Sequence, residues 1–258
     1  MKIVVLVKEV PDTWGTRRID VESGLTDRAG SEPVLDEINE RALEVALSYR
    51  DKTSGVEVLV LSMGPATAIT TIRKALAMGA DSGTLIADDA LSGADMTLTA
   101  QVLASALQRT GFDLVIAGNL STDGGGGVVP VMIAELLDVA SATFLDSVEI
   151  DGDTVSGNRA TETLRSRVSA ALPAVISITE QLPDARFPNF KGIMAAKKKP
   201  VETVTLVDVG IDPNDPHSGR SIVTGVVATP PRQSGLKIVD SGDAGEKLAE
   251  FLLDNRLA

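Results

Sequence analysis

Asp113-Leu114-Val115-Ile116-Ala117-Gly118-Asn119-Leu120-Ser121-Thr122-Asp123-Gly124-Gly125-Gly126-Gly127-Val128-Val129 leads from an apolar run, through successive glycines, into a segment of helical period. Asp113 to Ala117 has the near-continuous apolar character of a strand covered on both faces. A helix is expected from about Val128 to Leu137, carrying Val131, Ala134, Glu135 and Leu136, with Pro130 tolerated in its first turn. Small residues beyond the carboxyl end of a parallel strand let backbone N–H groups approach an anionic phosphate at a helix amino terminus. The stretch therefore predicts one strand-loop-helix unit of an α/β sheet with a nucleotide at the loop, a flexible surface loop being the alternative. It lacks the Lys-Ser/Thr ending of a P-loop and the spaced glycines of the dinucleotide fingerprint, so the residues alone lead to a mononucleotide site of unspecified kind. Asp123 suits holding the turn, or meeting a ribose hydroxyl or a partner group, because its charge opposes direct phosphate contact.

Outward from this unit, Lys2 to Val7, Val56 to Ser62 and Gly83 to Ala87 read as further buried strands, which with Asp113 to Ala117 should form the centre of the sheet. Asp36 to Arg50 places Ile38, Ala42, Leu43, Ala46 and Leu47 on one helical face. Ala66 to Met78 repeats the design with Ile69, Ile72, Ala75 and Leu76, and Gly79 stands where a helix cap is wanted. A third helix, from about Asp95 to Gln108, carries Leu98, Val102, Leu103 and Ala106. After Phe144 the rhythm changes. Val148 to Ile150, the turn Asp151-Gly152-Asp153 and the alternation from Leu164 to Ala170 suggest antiparallel strands, with another strand at Pro173 to Thr179. From Gln181 regular patterning is weak until a short amphipathic helix at Asp243 to Leu253. The expected architecture is a three-layer, doubly wound, mostly parallel α/β sheet of Rossmann-like type, with an antiparallel extension and an extended C-terminal arm.

If the sheet is doubly wound, the ends of the first two strands converge on the glycine loop. Leu6-Val7-Lys8 and Ser62-Met63-Gly64 are then candidates for binding an adenine edge, although Lys8 also reads as a solvated strand end and Met63 as core. Asp36 and Asn39 open the first helix, where capping competes with ligand contact.

Composition removes many function classes. There is no cysteine, hence no disulfide, thiolate nucleophile or iron–sulfur cluster, and a reducing compartment, by default the cytoplasm, is expected. The net charge of −12 opposes nucleic-acid binding. The one histidine, His217, lies in a Pro- and Asp-rich stretch and reads as a loop residue, which leaves little material for a triad or a multi-histidine metal site. No apolar run approaches the roughly 20 residues of a membrane helix, so no direct membrane insertion is expected.

Ser62-Met63-Gly64-Pro65 followed by Ile72-Arg73-Lys74-Ala75-Leu76-Ala77-Met78-Gly79-Ala80-Asp81 resembles the signature of electron-transfer flavoprotein β subunits. Val4 to Val10, Glu40 to Ala46, Gly118 to Val129, Glu162 to Arg165, Leu172 to Val175, Ile193 to Lys199 and Pro230-Pro231-Arg232 follow in the family's order, so the resemblance covers nearly the whole chain. It implies a heterodimer whose larger α subunit holds most of an FAD, with a structural AMP in this subunit and the chemistry belonging to the flavin. The AMP-binding positions it implies are Leu6, Asp36, Glu37, Ile38, Asn39, Met63, Gly118, Asn119, Leu120, Ser121, Thr122, Asp123, Gly124, Gly125, Gly126, Gly127, Val128 and Val129. The family's loop is often more acidic where this chain has Gly124 to Gly127, so backbone contacts are expected to carry the binding.

The resemblance also implies that residues 181–199 form a segment docking on acyl-CoA dehydrogenases and similar flavoenzymes. Phe190 is its apolar anchor, Ile193 and Met194 broaden the contact, and Lys197, Lys198 and Lys199 orient a negatively charged partner. Phe187, Phe190 and Ile193 pinning the loop to their own domain is the alternative. Thr13 stands where relatives carry an aromatic residue near the flavin. Residues 1–199 are thus expected to form the nucleotide-binding domain, and residues 200–258 an arm wrapping the α subunit. The implied function is an electron carrier without turnover of its own, passing electrons from dehydrogenases to a membrane-associated, quinone-reducing oxidoreductase. A bifurcating relative with a second FAD and a stand-alone ATP-binding protein are the alternatives.

Overall fold

Seven strands, all parallel, carry the apolar runs in the computed structural model, which describes residues 1–15, 17–215, 221–231 and 234–257. His217 and Arg232 lie outside the described residues. In chain order the strands are β1 (Lys2–Leu6), β2 (Glu9–Pro11), β3 (Pro33–Leu35), β4 (Glu57–Met63), β5 (Ser82–Ile86), β6 (Leu114–Gly118), β7 (Ala140–Leu145), β8 (Glu149–Asp151), β9 (Thr154–Ala160), β10 (Arg165–Ala171), β11 (Ala174–Ile178) and β12 (Val201–Val204). The helices are α1 (Glu37–Arg50), α2 (Ile69–Met78), α3 (Met96–Thr110), α4 (Val129–Leu137), α5 (Phe190–Ala196) and α6 (Ala244–Asp254).

The main sheet runs β12-β5-β4-β1-β6-β11-β7. Its four expected central strands are neighbours, and each lies within a residue or so of its predicted span. Alternation along β1 divides the core: Ile3 and Val5 pack with Leu43 and Leu47 of α1 and Ile72 and Leu76 of α2. Val4 and Leu6 pack with Leu98, Val102 and Leu107 of α3 and Ile133 of α4. Helices therefore cover both faces in three layers, as the pattern predicted. In α4 only part of the expected face is used, since Ile133 and Ala134 are buried whereas Val131 and Leu136 are exposed.

The chain leaves β1 toward β4 on one side and reaches β6 on the other, so the order of the sheet reverses between β1 and β6. That switch point opens a crevice at the carboxyl ends of the strands, where α/β sheets hold ligands. The antiparallel extension is the sheet β10-β9-β8, docked on the core through Val155 and Ala170. Gly157 is required there, because a Cβ would fall 2.0 Å from the carbonyl oxygen of Ser147.

The edge strands β7 and β12, the small antiparallel pair β2 and β3, and helix α5 have no counterpart in the sequence reading. Because β12 pairs with β5 from Val201↔Gly83 to Val204↔Ile86, the sheet continues past residue 199, where the nucleotide-binding domain was expected to end. The chain separates into two compact units, 1–225 and 226–258. In the second, α6 realises the expected amphipathic helix and buries none of its side chains. Among the described residues no helix is long and apolar enough to cross a membrane.

Candidate functional site

A cleft of about 370 Å³ lies at the switch point, lined by Asp36, Glu37, Ile38 and Arg41 at the start of α1, by Asn119 to Thr122 and Gly125 of the glycine loop, and by Glu180 after β11. Asp36 occupies the N-cap position of α1 but does not cap it. Its buried carboxylate instead accepts from the Thr122 amide (2.9 Å) and the Thr122 hydroxyl (2.6 Å), which draws the glycine loop onto the helix. The side-chain oxygen of Asn39 likewise turns away from the helix end and accepts from the Lys8 amide at 2.8 Å. Neither side chain caps the helix; both tie α1 to its surroundings, and Asp36 does so from the lining of the cleft. The uncapped amino terminus of α1, with its orphan N–H donors, opens at the cleft instead.

The loop holds its own shape. The Asn119 amide donates to the Ile178 carbonyl at 2.9 Å, fastening the loop to neighbouring β11, and the Gly125 amide closes a turn on the Ser121 carbonyl at 2.9 Å. Gly125 has φ +59° with open space where a Cβ would stand, so the loop adopts a left-handed conformation and presents backbone to the cleft. Gly118 answers a different demand, since a Cβ there would lie 2.6 Å from Ile38 and 2.9 Å from the Asn39 amide nitrogen.

Asp123 is the electrostatic centre of the loop. Its carboxylate is 3% exposed and receives Lys8 Nζ at 2.7 Å and Arg28 Nη2 at 2.6 Å. Burial pushes the group up, but hydrogen bonding and charge from Lys8, with further hydrogen bonds from Arg28 and Ser121, outweigh it and hold the pKa at about 2. Lys8 is therefore committed to Asp123 and is not a free strand-end lysine. Arg17 donates to the Thr122 carbonyl at 2.6 Å, so two arginines from the excursion between β2 and β3 hold this loop.

Among the sequence-predicted positions, Asp36, Glu37, Ile38, Asn119, Leu120, Ser121, Thr122 and Gly125 line the cleft together. Asn39, Gly118 and Asp123 stand behind them as supports. Leu6 is buried in the core facing α3 and α4, and Met63 packs against the same cluster. Gly124, Gly126, Gly127, Val128 and Val129 complete the turn into α4 without lining the cleft. Arg41 and Glu180 were not anticipated. Nothing in their local pattern distinguishes them from the solvated charges of an ordinary helix face and loop.

Arg41 also links the cleft to residues 181–199, donating to the Leu182 carbonyl and the Asp184 carboxylate. One turn further along α1, Glu44 accepts from the amide of Arg186 at 3.0 Å and from its guanidinium at 2.7 and 2.8 Å. Burial pushes the Glu44 carboxyl up, yet its hydrogen bonds from Arg186 and Ser48 leave it below the usual range. With its backbone secured in this way the segment presents Phe187 (94% exposed), Phe190 (79% exposed), Ile193 and Met194 to solvent, and does not pin them to the domain.

Lys197 and Lys198 are exposed, whereas Lys199, expected to orient a partner with them, is turned onto the protein's own backbone. Its ammonium donates to the carbonyls of Leu76 (3.0 Å), Gly79 (3.2 Å) and Ala80 (2.6 Å), and so closes the carboxyl end of α2. Desolvation lowers its pKa, with Asp81 acting in the opposite sense. Three carbonyls match the three donors of an ammonium group, leaving none to offer a partner.

Residues 25–209 match the model of the electron transfer flavoprotein domain. A Mycobacterium leprae protein named electron transfer flavoprotein subunit beta is 43% identical over 262 aligned positions, covering 99% of this chain and 98% of that protein. The Bacillus subtilis protein of the same name is 31% identical, covering 98% and 96%. The caffeyl-CoA reductase-Etf complex subunit CarD of Acetobacterium woodii is 34% identical, covering 83% and 81%. With a matching domain model, near full-length relatives of one name and the expected doubly wound fold, this chain belongs to the family of electron transfer flavoprotein β subunits.

Proposed function

We propose that this chain pairs with a larger α subunit that holds most of an FAD, binds AMP in the switch-point cleft, and presents the segment after β11 to donor dehydrogenases. The observation that carries the nucleotide half is the joint lining of the cleft by the uncapped start of α1 and the backbone of the glycine loop. The donor set fits an adenine mononucleotide: helix N–H groups and an open glycine turn suit a phosphate, and the Ser121 and Thr122 region offers polar groups to a ribose. At about 370 Å³ the cleft lies toward the small end of ligand pockets, which favours one mononucleotide over a dinucleotide. Asn119 to Thr122, Gly125 and Asp36 to Ile38 would hold it, with Gly118, Asn39, Lys8, Arg28 and Asp123 fixing their positions.

The flavin, when bound between the subunits, supplies the electron chemistry, and this chain's residues orient and dock. Acyl-CoA dehydrogenase-type flavoenzymes are the proposed donors and a membrane-associated, quinone-reducing oxidoreductase the acceptor, with the carrier in the cytoplasm and without turnover of its own. The test is to co-express the chain with candidate α subunits, denature the purified complex and quantify released FAD and AMP. One of each per heterodimer is the expected result. Two FAD and no AMP would replace this reading with the bifurcating one, and a flavin-free homodimer retaining ATP would overturn it.

A further inference from the structure

We propose that Arg73 and Lys199 are positioning residues for partner docking, which hold α5 rigid from behind so that Phe190, Ile193 and Met194 are presented in one fixed array. The proposal rests on the docking role given to this segment above. A helix of seven residues is too short to be stable through its own hydrogen bonds. The amino terminus of α5 is capped by Asn189, whose side chain accepts from the Gly192 amide at 2.8 Å. Its carboxyl terminus is closed from outside, because Arg73 Nη1 donates to the carbonyls of Ala196 and Lys199, both at 2.7 Å. Lys199 returns the contact by closing the carboxyl end of α2. Each helix thus has its terminal carbonyls held by a cation from the other's segment, in charge-assisted bonds that also oppose the helix dipoles.

Between these two contacts the helices meet backbone to backbone. A Cβ on Gly192 would fall 2.3 Å from the Ala77 carbonyl oxygen, and Ala196 is buried in the core. The opposite side of α5 carries the exposed apolar side chains. A transient electron-transfer interface is small, so the cost of ordering a mobile helix would consume much of its affinity, and a helix ordered in advance avoids that cost. Neither Arg73 nor Lys199 lines the nucleotide cleft.

The experiment uses the purified heterodimer with an acyl-CoA dehydrogenase that reduces the wild-type protein. Lys199→Met and Arg73→Met should each raise the KM for the heterodimer about tenfold with kcat and the FAD and AMP content unchanged. Lys198→Met removes the same charge without the cap. Its effect should be smaller and vanish at high salt, whereas that of Lys199→Met should persist. Gly192→Ala, which forces α5 off α2 and leaves every charge in place, should reproduce the KM rise. Should Lys199→Met fold poorly, this variant carries the test, read together with loss of amide-exchange protection in α5. A KM within about twofold of wild type in Gly192→Ala and Arg73→Met, while Phe190→Ala raises it, overturns the positioning role alone. If Phe190→Ala is also without effect, the docking reading fails and the positioning role with it.

Discussion

The glycine loop after β6 and the docking segment after β11 leave adjacent parallel strands, yet they are fixed in opposite ways. In the loop the side chains turn inward. Asp123 accepts from Lys8 and Arg28, Thr122 donates to Asp36, and what faces the cleft is largely backbone. In the docking segment it is the backbone that is grasped, through the carbonyls of Leu182, Ala196 and Lys199 and the amide of Arg186, and what faces outward is side chain. Backbone N–H groups suit a small anion that needs several converging donors, whereas apolar side chains suit a protein surface that must be recognised and then released. On the proposed function, the two stretches owe their different uses to which part of the chain is immobilised.

The largest predicted effect breaks the loop side of this comparison. Gly118→Leu drives a side chain into Ile38 and Asn39 and should cost about 3 kcal/mol or more, with loss of bound AMP measured after denaturation. Retained AMP at wild-type stability would mean the loop is not seated on α1 as described. Phe190→Ala breaks the other side: truncating an anchor should weaken docking by about 2 kcal/mol, seen as slowed reduction by the dehydrogenase with FAD and AMP content intact. Normal transfer kinetics would remove Phe190 from the interface.

Asp123→Asn sharpens the electrostatic half. The carboxyl falls from 3.8 to about 2 on folding, worth about 2 kcal/mol. Because the folded pKa is depressed, this contribution is complete above pH 3.8 and fades as the pH falls toward 2. Urea unfolding of both proteins should show the gap between them constant from pH 5 to 7 and shrinking below pH 4; a gap independent of pH would show that the carboxylate charge is not what holds the loop. The smallest effect belongs to Lys197→Gln with Lys198→Gln, which should slow association with the dehydrogenase a few-fold at low salt and not at high salt. AMP content should not change.

Most of the central sheet was legible because β1, β4, β5 and β6 are covered on both faces, and their apolar runs have no other use. The edge strands were not. In β7 the run Ala140-Ser141-Ala142-Thr143 is too small and polar to announce burial, and β12 is four residues with Glu202 and Thr203 exposed. Helix α5 left no periodic signal because tertiary contacts hold it, not propensity. At the cleft, the glycines and their placement after a strand identified the loop, and Asp36 was found through its position at the start of α1. Lys199 was misread because a basic run looks alike whether its ammonium groups meet water or carbonyls 120 residues away. The pairing of Lys8 with Asp123 is equally long-range, and neither residue's neighbours in sequence hint at the other.

The path from β11 to β12 carries one more consequence. Those strands lie five places apart in the sheet, about 24 Å at the usual strand spacing, so residues 179–200 cross over α1 and α2 from near one edge to the other. The far end is secured by the α2 contacts of Arg73 and Lys199 and by β12 pairing with β5, more than 100 residues earlier in the chain. Closing so long a loop is entropically late in folding. On the docking role proposed above, a subunit whose sheet is incomplete would have no fully stretched crossing to offer a donor.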